Sequence, residues 1–436
     1  MKREGTGTGI IGRLPKNTRH FRLDAALLTM AFVLAPAAAR ANAVDYWSDI
    51  AAQVAVAPPQ SRAGLAQIDL AYVHIAIYDA VNAIDRRYSA FAVSPTTNPR
   101  GASMDAATAS AAYTMLKWLF PSASAATVLD AAYVTYLLGI PDGTSKSRGI
   151  AVGAEVANAF IALRTGDGRN LPVPYTFGAP FPGVYQQTPG GPATPVGTWV
   201  GQMKTFAIDS ATQFRADGPP DLTSAQWADD FNETKHYGAL TNSLRTPLQT
   251  QIGQFFAENP GAQTNRNVRQ VAIAHGLSVA DSARFFAQAY VTMADAQITT
   301  WNSKYHYNFW RPVTAIQYLD DGNPATEPDL SWTPLVVTPG HPEYPAAHPT
   351  ISGAFAFAIA QFFGTKKVAV ALTSTSVPNT GGLMTLDFTN TDDIVKTAIE
   401  GRIYGGMHYR TSGVHGAVIA RKVAHYVARH YFTPAM

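Results

Sequence analysis

The sequence predicts an all-α protein, and three features carry that reading. Apolar residues recur at helical spacing over long stretches, strand-like alternation is scarce, and the one long break in periodicity is dense in Pro and Gly. The chain has 436 residues, 47% of them hydrophobic and 14% charged, enough for a large core in one big domain or two. Such a composition argues against disorder. A net charge of +3 from 33 basic and 30 acidic residues, without a Lys/Arg block, argues against nucleic acid as a partner.

Arg13, Lys16, Arg19 and Arg22 precede an apolar segment, Ala25 to Ala35, and Ala41-Asn42-Ala43 fits the A-x-A cleavage rule. Residues 1–43 therefore read as a signal peptide, leaving a mature chain from Val44 that is periplasmic or secreted. The alternative is a buried N-terminal helix. The apolar segment is too short to span a bilayer, so no stable membrane anchor is expected. There is no Cys. The fold must rest on its core alone, and a thiol-free chain tolerates an oxidising product.

Within residues 60–85, Leu70, Val73, Ile77, Val81 and Ile84 fall on one helix face, and Leu65, Ile68, Tyr72 and Ile75 on another, as in a buried helix. Periodicity predicts further helices over 105–119, 125–138, 147–163, 268–277, 280–301, 351–363 and 413–431. From Thr165 to about Pro220 the density of Pro and Gly can hold neither a helix nor a central strand. So long a loop is usually functional or wrapped over a surface. It divides an N-terminal helical region, 44–220 with this segment included, from a C-terminal region, 221–436, that contains the chemistry. No repeat of 20 to 50 residues points to a solenoid.

Three stretches of the C-terminal region gather cations and His. In WNSKYHYNFWRPVTAI, Lys304 and Arg311 are seven apart, which on a continuous helix puts both on one face, although Pro312 favours an extended Arg311. Tyr305, Tyr307, Phe309 and Trp310 surround them, and partly buried cations need an anion. The plain alternative is two solvated cations. In HPEYPAAHPTISG, Pro342 and Pro345 stiffen the approach to Ala347 and His348. A helix starting near His348 would aim free N–H groups at an anion. His348 could equally be a packed turn residue. In GRIYGGMHYRTSGVHG, Arg402 precedes His408 by six residues, and Gly405-Gly406 lets the backbone approach a ligand closely. The bland reading puts His408 and His415 on one helix face. Zinc finds little support: His341, His348, His408 and His415 have no H-E-x-x-H, Cys or carboxylate cluster beside them.

These motifs resemble the superfamily of vanadium-dependent haloperoxidases and type 2 phosphatidic acid phosphatases, whose signature is K-x6-R-P, P-S-G-H and S-R-x5-H-x3-D. The chain has Lys304-x6-Arg311-Pro312, Pro345-Ala346-Ala347-His348 and Arg402-x5-His408 in that order. YDAVNAID (78–85), the Pro/Gly segment and DFNETK (230–235) also resemble the secreted bacterial haloperoxidase-like branch. The resemblance implies two helical bundles with the active site in the C-terminal one. It implies vanadate held by Lys304, Arg311, Arg402 and the backbone N–H of Ala347, with His408 as the protein ligand of the metal. Lys304 would polarise peroxide, and His348 would be the acid-base group. His341 occupies a position where His is similar to that of bromide-oxidising members, against a plain structural role in the turn.

The expected function is a haloperoxidase using hydrogen peroxide, a halide (bromide or iodide before chloride) and a small organic acceptor. Self-association of the chain is left open. The alternatives are a phosphatase with His408 as nucleophile, or a non-catalytic oxyanion-binding protein. Four positions depart from the signature: Ala346 and Ala347 replace Ser and Gly, Gly401 precedes the Arg where a Ser is usual, and Ser412 replaces the final Asp. The loss of that Asp removes the usual partner of the axial His, with Asp295 as a substitute candidate.

Overall fold

The computed structural model describes residues 41–57, 64–318 and 320–435. Residues 1–40, most of the segment read as a signal peptide, lie outside the described residues. In order, the helices are α1 (Ala43–Val56), α2 (Ala66–Asp85), α3 (Met104–Leu119), α4 (Ala123–Leu138), α5 (Thr144–Arg164), α6 (Ala225–Gly238), α7 (Pro247–Phe255), α8 (Pro260–Ala274), α9 (Val279–Tyr307), α10 (Pro312–Ile316), α11 (Ala347–Phe363), α12 (Thr391–Tyr404) and α13 (Arg410–His430). Between α11 and α12 lies an antiparallel hairpin, β1 (Val370–Ser374) and β2 (Met384–Phe388), with Val370 opposite Phe388. The fold is all-α apart from this small sheet.

The predicted helices all form, most of them longer than their periodic cores. α1, α6, α7, α12 and the hairpin left weak signals because they are short or bury only part of one face. α2 is buried along almost its whole length, as expected of a helix apolar on two faces. It packs on α9, the 29-residue helix that also carries α11 and α13. α9 therefore belongs to the core of both halves of the chain.

Two local events at the end of α9 place the first motif. The Ser278 side chain caps its start, and Asn308 ends it in a left-handed conformation (φ 50°), which Asn tolerates better than most residues. Arg311 lies beyond, extended, as the N-cap of α10 before Pro312. Lys304 and Arg311 thus converge by a chain reversal and not by sharing one helix face. His408 and His415 are separated in the same way, since α13 begins only at Arg410.

The segment from Thr165 to Pro220 holds only a single 3-10 turn, Val200–Gln202, and is tethered to the core. The Asp295 carboxylate accepts from the backbone N–H groups of Phe206 (2.7 Å), Ala207 (2.7 Å) and Ile208 (2.9 Å). Arg164 donates to the carbonyls of Thr205 and Lys204, both at 2.7 Å. Asp295 is therefore an anchor for this segment and does not partner an axial His. Val196 N–H donates to Gly340 O at 2.8 Å, joining the segment to the approach of the second motif.

Candidate active site

The three motifs meet where α9, α11, α12 and α13 end or begin. Lys304 stands in the last turn of α9, Ala347 and His348 open α11, Arg402 stands in the last turn of α12, and His408 lies just before α13. α11 and α13 approach closely because Gly416 lacks a side chain: a Cβ there would fall 2.6 Å from Ala346 O. Ala346 N–H donates to Ser412 O at 3.0 Å across the same junction.

Lys304 and Arg311 are fully buried, and Arg402 is 2% exposed. Lys304 Nζ donates to the carbonyls of Pro342 (2.9 Å) and Glu343 (2.7 Å). Arg311 Nε donates to His341 O (2.8 Å), Nη1 to Met407 O (2.9 Å) and His408 Nε2 (3.0 Å), and Nη2 to His341 Nδ1 (3.0 Å). Arg402 Nη1 donates to Phe256 O (2.8 Å), Nη2 lies 3.0 Å from Met407 Sδ, and Nε has no partner. The stiff turn holds two of the cations through its own carbonyls and presents His341 and His348 beside them.

Glu343 is the residue that the sequence reading missed. Its Oε1 accepts from His408 Nδ1 at 2.8 Å and from Tyr409 N–H at 3.1 Å. This pattern assigns the His408 proton to Nδ1 and leaves Nε2 as a lone pair toward Arg311. The carboxylate partner expected at position 412 thus comes from a different element. Ser412 is buried nearby and favours the ionised carboxylate, although its Oγ completes no well-directed hydrogen bond. The available signal was the single acid in HPEYPAAHP, held between two prolines.

Burial dominates the electrostatics. It holds Lys304 well below its ordinary value, Arg311 down to about 10 and Arg402 down to about 9, with the cations repelling one another. It pushes Glu343 up to about 7, against the pull of Lys304 and Arg311. His341, His348 and His408 are lowered well below the usual histidine range, first by burial and then by the Arg and Lys charges. Three buried cations face a single buried carboxylate, so the site carries excess positive charge. A bound anion would attract each cation and move it back toward its ordinary value.

A cavity of about 290 Å³ opens onto this group. Arg402, His341, Ala347, His348 and Met407 line it, with Trp301, Phe256, Val336, Val337 and Ile351 forming apolar walls. Gly64 and Val196 contribute from the N-terminal region. The His341 ring sits 5.2 Å from the Trp301 ring, between it and Arg311. His348 Nε2 is buried without a partner. The unspent donors of Arg402 Nε and Lys304 Nζ, the first-turn N–H groups of α11 and the free ring nitrogen of His348 suit a tetrahedral or trigonal oxyanion. Vanadate fits this donor set.

Fold and site together define a helical-bundle protein with three buried cations and three His beside one cavity. Residues 284–434 match the family described as the VCPO second helical-bundle domain. The vanadium chloroperoxidase of Curvularia inaequalis is 27% identical over 398 residues, which cover 72% of this chain and 64% of that protein. The chain thus spans 64% of that relative's length. Among solved structures, the first bacterial vanadium-dependent iodoperoxidase superposes with a TM-score of 0.73 at 24% identity, covering 90% of this chain and 96% of that one. A holo-type bacterial vanadium-dependent chloroperoxidase gives 0.67 at 15% identity, over 91% and 93% of the two chains. Residues 284–434 thus match a VCPO second helical-bundle domain, and the chain is similar in sequence to a vanadium chloroperoxidase and in fold to bacterial vanadium haloperoxidases.

Proposed function

We propose that the chain is a vanadate-dependent haloperoxidase that oxidises bromide or iodide with hydrogen peroxide and passes the oxidised halogen to a small organic acceptor. The observation that carries this reading is the trio of buried cations, Lys304, Arg311 and Arg402, of which Arg402 lines the cavity and the other two lie behind it, with Glu343 as the one buried acid beside them among the described residues. Lys304, Arg311, Arg402 and the N–H of Ala347 would hold the oxyanion, with His408 Nε2 as the protein ligand. The chemistry supplied by vanadate when bound is Lewis-acid activation of peroxide toward attack by halide.

The chain's own residues do the rest. Glu343 fixes the His408 tautomer and leaves Nε2 available. Lys304 polarises the bound oxidant electrostatically. His348, kept neutral by burial and the neighbouring cations, is ready to accept a proton from peroxide and return it to a leaving oxygen. The apolar walls limit the water around this exchange. His341 between Trp301 and Arg311 supports a halide site. Bromide or iodide is preferred to chloride on that basis, and a structurally similar bacterial protein is an iodoperoxidase. Export directed by the N-terminal segment belongs to the same proposal.

A second reading has its own support, because the Glu343–His408 pair would also serve a nucleophilic His in a phosphatase. One experiment separates the two: halide oxidation and phosphomonoester hydrolysis are measured with and without orthovanadate, alongside vanadium content after soaking. The proposal expects vanadium retention and vanadate-dependent halide oxidation. Hydrolysis inhibited by vanadate would assign the phosphatase instead, and retention without either reaction would leave an oxyanion-binding protein.

A further inference from the structure

The chain has no Cys, yet one soft sulfur faces the cavity. Met407 directly precedes His408, is 1% exposed, and places Sδ 3.0 Å from Arg402 Nη2. A thioether is a weak acceptor. Arg402 Nη2 therefore has a poor partner, and Nε has none. The sulfur is held in place on two sides. Met407 O accepts from Arg311 Nη1 at 2.9 Å, Met407 N–H donates to Arg402 O at 3.2 Å, and the terminal methyl rests against Gly405, where a Cβ would meet it at 2.7 Å. An electrophilic oxidant formed over the cage and leaving by this cavity has the thioether among the groups that line its way. Among the lining side chains, Met407 is the most easily oxidised.

We propose that Met407 is a modification site, oxidised to the sulfoxide by the protein's own hypohalous acid, and that the sulfoxide lowers oxyanion affinity through Arg402. The inference rests on the haloperoxidase reading. The step balances: the thioether and hypohalous acid give sulfoxide, halide and a proton. Sulfur loses two electrons and the halogen gains them. The oxygen stays on sulfur, and the halogen leaves as halide. The new oxygen is a far stronger acceptor than the sulfur it replaces as partner of Nη2. It holds the guanidinium away from a bound oxyanion and adds bulk where sulfur and nitrogen are already in contact. Enzymatic reduction of the sulfoxide would restore the site.

The test uses the full chain loaded with orthovanadate and supplied with peroxide and bromide or iodide, without an organic acceptor. Methionine sulfoxide is located by peptide mass spectrometry, and vanadate affinity is measured before and after exposure. Met407 should be oxidised in step with turnover and ahead of Met115 and Met293, which are fully buried away from the cavity. Peroxide without halide should leave it largely reduced. Vanadate affinity of the oxidised protein should fall by about tenfold, the loss of one charge-assisted hydrogen bond. Methionine sulfoxide reductase should restore it, and Met407→Leu should hold its own starting affinity through the same exposure. Halide oxidation with Met407 unmodified, or a Met407 sulfoxide with unchanged vanadate affinity, overturns the inference and leaves the haloperoxidase reading standing. Absence of halide oxidation overturns the reading and the inference together.

Discussion

Glu343 Oε1 and His408 Nδ1 lie 2.8 Å apart in a space closed to solvent, and this pair ties the stiff turn before α11 to the start of α13. Above pH 7, where the Glu343 carboxyl is ionised, Glu343→Gln keeps the shape and removes the one buried negative charge beside three cations. The protein without oxyanion should lose about 3–5 kcal/mol of stability, as expected when one partner of a buried charge group is removed. Vanadate affinity should weaken by roughly 10-fold to 100-fold, the usual cost of losing a carboxylate behind a metal-binding His. Calorimetry and vanadate titration check both. Unchanged affinity would mean that Glu343 does not orient His408.

Oxyanion should stabilise the fold by mass action. At a vanadate concentration about 100 times its Kd, the gain is about 2.7 kcal/mol. Thermal unfolding should shift upward by a few degrees. Arg402→Met removes one of the three like charges, so it should weaken vanadate binding by about tenfold or more while leaving the melting temperature without oxyanion equal to or above that of the parent. A variant that binds vanadate as tightly as the parent would place the anion elsewhere.

Ala346 is the N-cap of α11 and supplies no side-chain cap. Ala346→Ser should therefore raise stability by about 1 kcal/mol through capping alone. If the hydroxyl also reaches the cage, vanadate binding tightens by about tenfold. A rise in stability with no change in affinity would assign the Ser purely to the helix.

The site was legible in sequence where one residue type at fixed spacing carries the chemistry. Lys304, Arg311, His348, Arg402 and His408 could be selected because cations among aromatics and His beside prolines are costly without a shared ligand. Glu343 was harder to find, because a carboxylate 65 residues before its His has no spacing that announces the contact. Asp295 was misread for the reverse reason: its place on a helix carrying Lys304 suggested the site, while its hydrogen bonds run to the Pro/Gly segment. Most helices were visible in their periodicity. The hairpin was not: β2, MTLDF, alternates apolar and polar residues, but five residues are too few repeats to stand out, and β1 does not alternate.

Asp295→Ala should strand the N–H groups of residues 206–208 and cost roughly 3 kcal/mol or more. Vanadate affinity should change by less than about twofold in the folded protein. Burial raises the folded pKa of Asp295 to about 6, above its unfolded value of about 4. The folded state therefore binds this proton more tightly, and its contribution to stability is greatest below pH 4 and declines as pH rises toward 6. Asp230, Asp79 and Glu343, also raised by burial, give both proteins a slope across that window, and unfolding free energies should fall more steeply in wild type than in Asp295→Asn by the share of Asp295.

Asn42 caps α1 in a reciprocal capping box with Asp45, and its amide also donates to Leu277 O (3.1 Å) and Ser282 Oγ (2.8 Å). Processing after Ala43 would discard all of these contacts and cost about 1 kcal/mol or more. A mature chain beginning at or before Asn42 is expected instead, for which Ala37-Ala38-Ala39 and Ala39-Arg40-Ala41 also offer the required spacing. N-terminal sequencing of exported protein decides it, and a start at Val44 would contradict the expectation.

The cavity wall has two origins with different tolerance to change. The cations and His stand on the ends of long packed helices, where a shift of one residue would rotate each charge out of register. Gly64 and Val196 reach the same space from segments with little regular structure, and Val196 is tied to Gly340 through its N–H and to Trp301 and Tyr305 of α9 through its carbonyl. The strap is also bonded to the end of α9, through Tyr175 and Tyr185 to Asn308 and through Ala216 to Tyr307, so changes between these tethers alter the aperture with the least disturbance of the helix. What the cavity admits can therefore diversify on this scaffold while the buried cations stay fixed, so sequence drift should concentrate in residues 165–220 between these tethers before it reaches the cations.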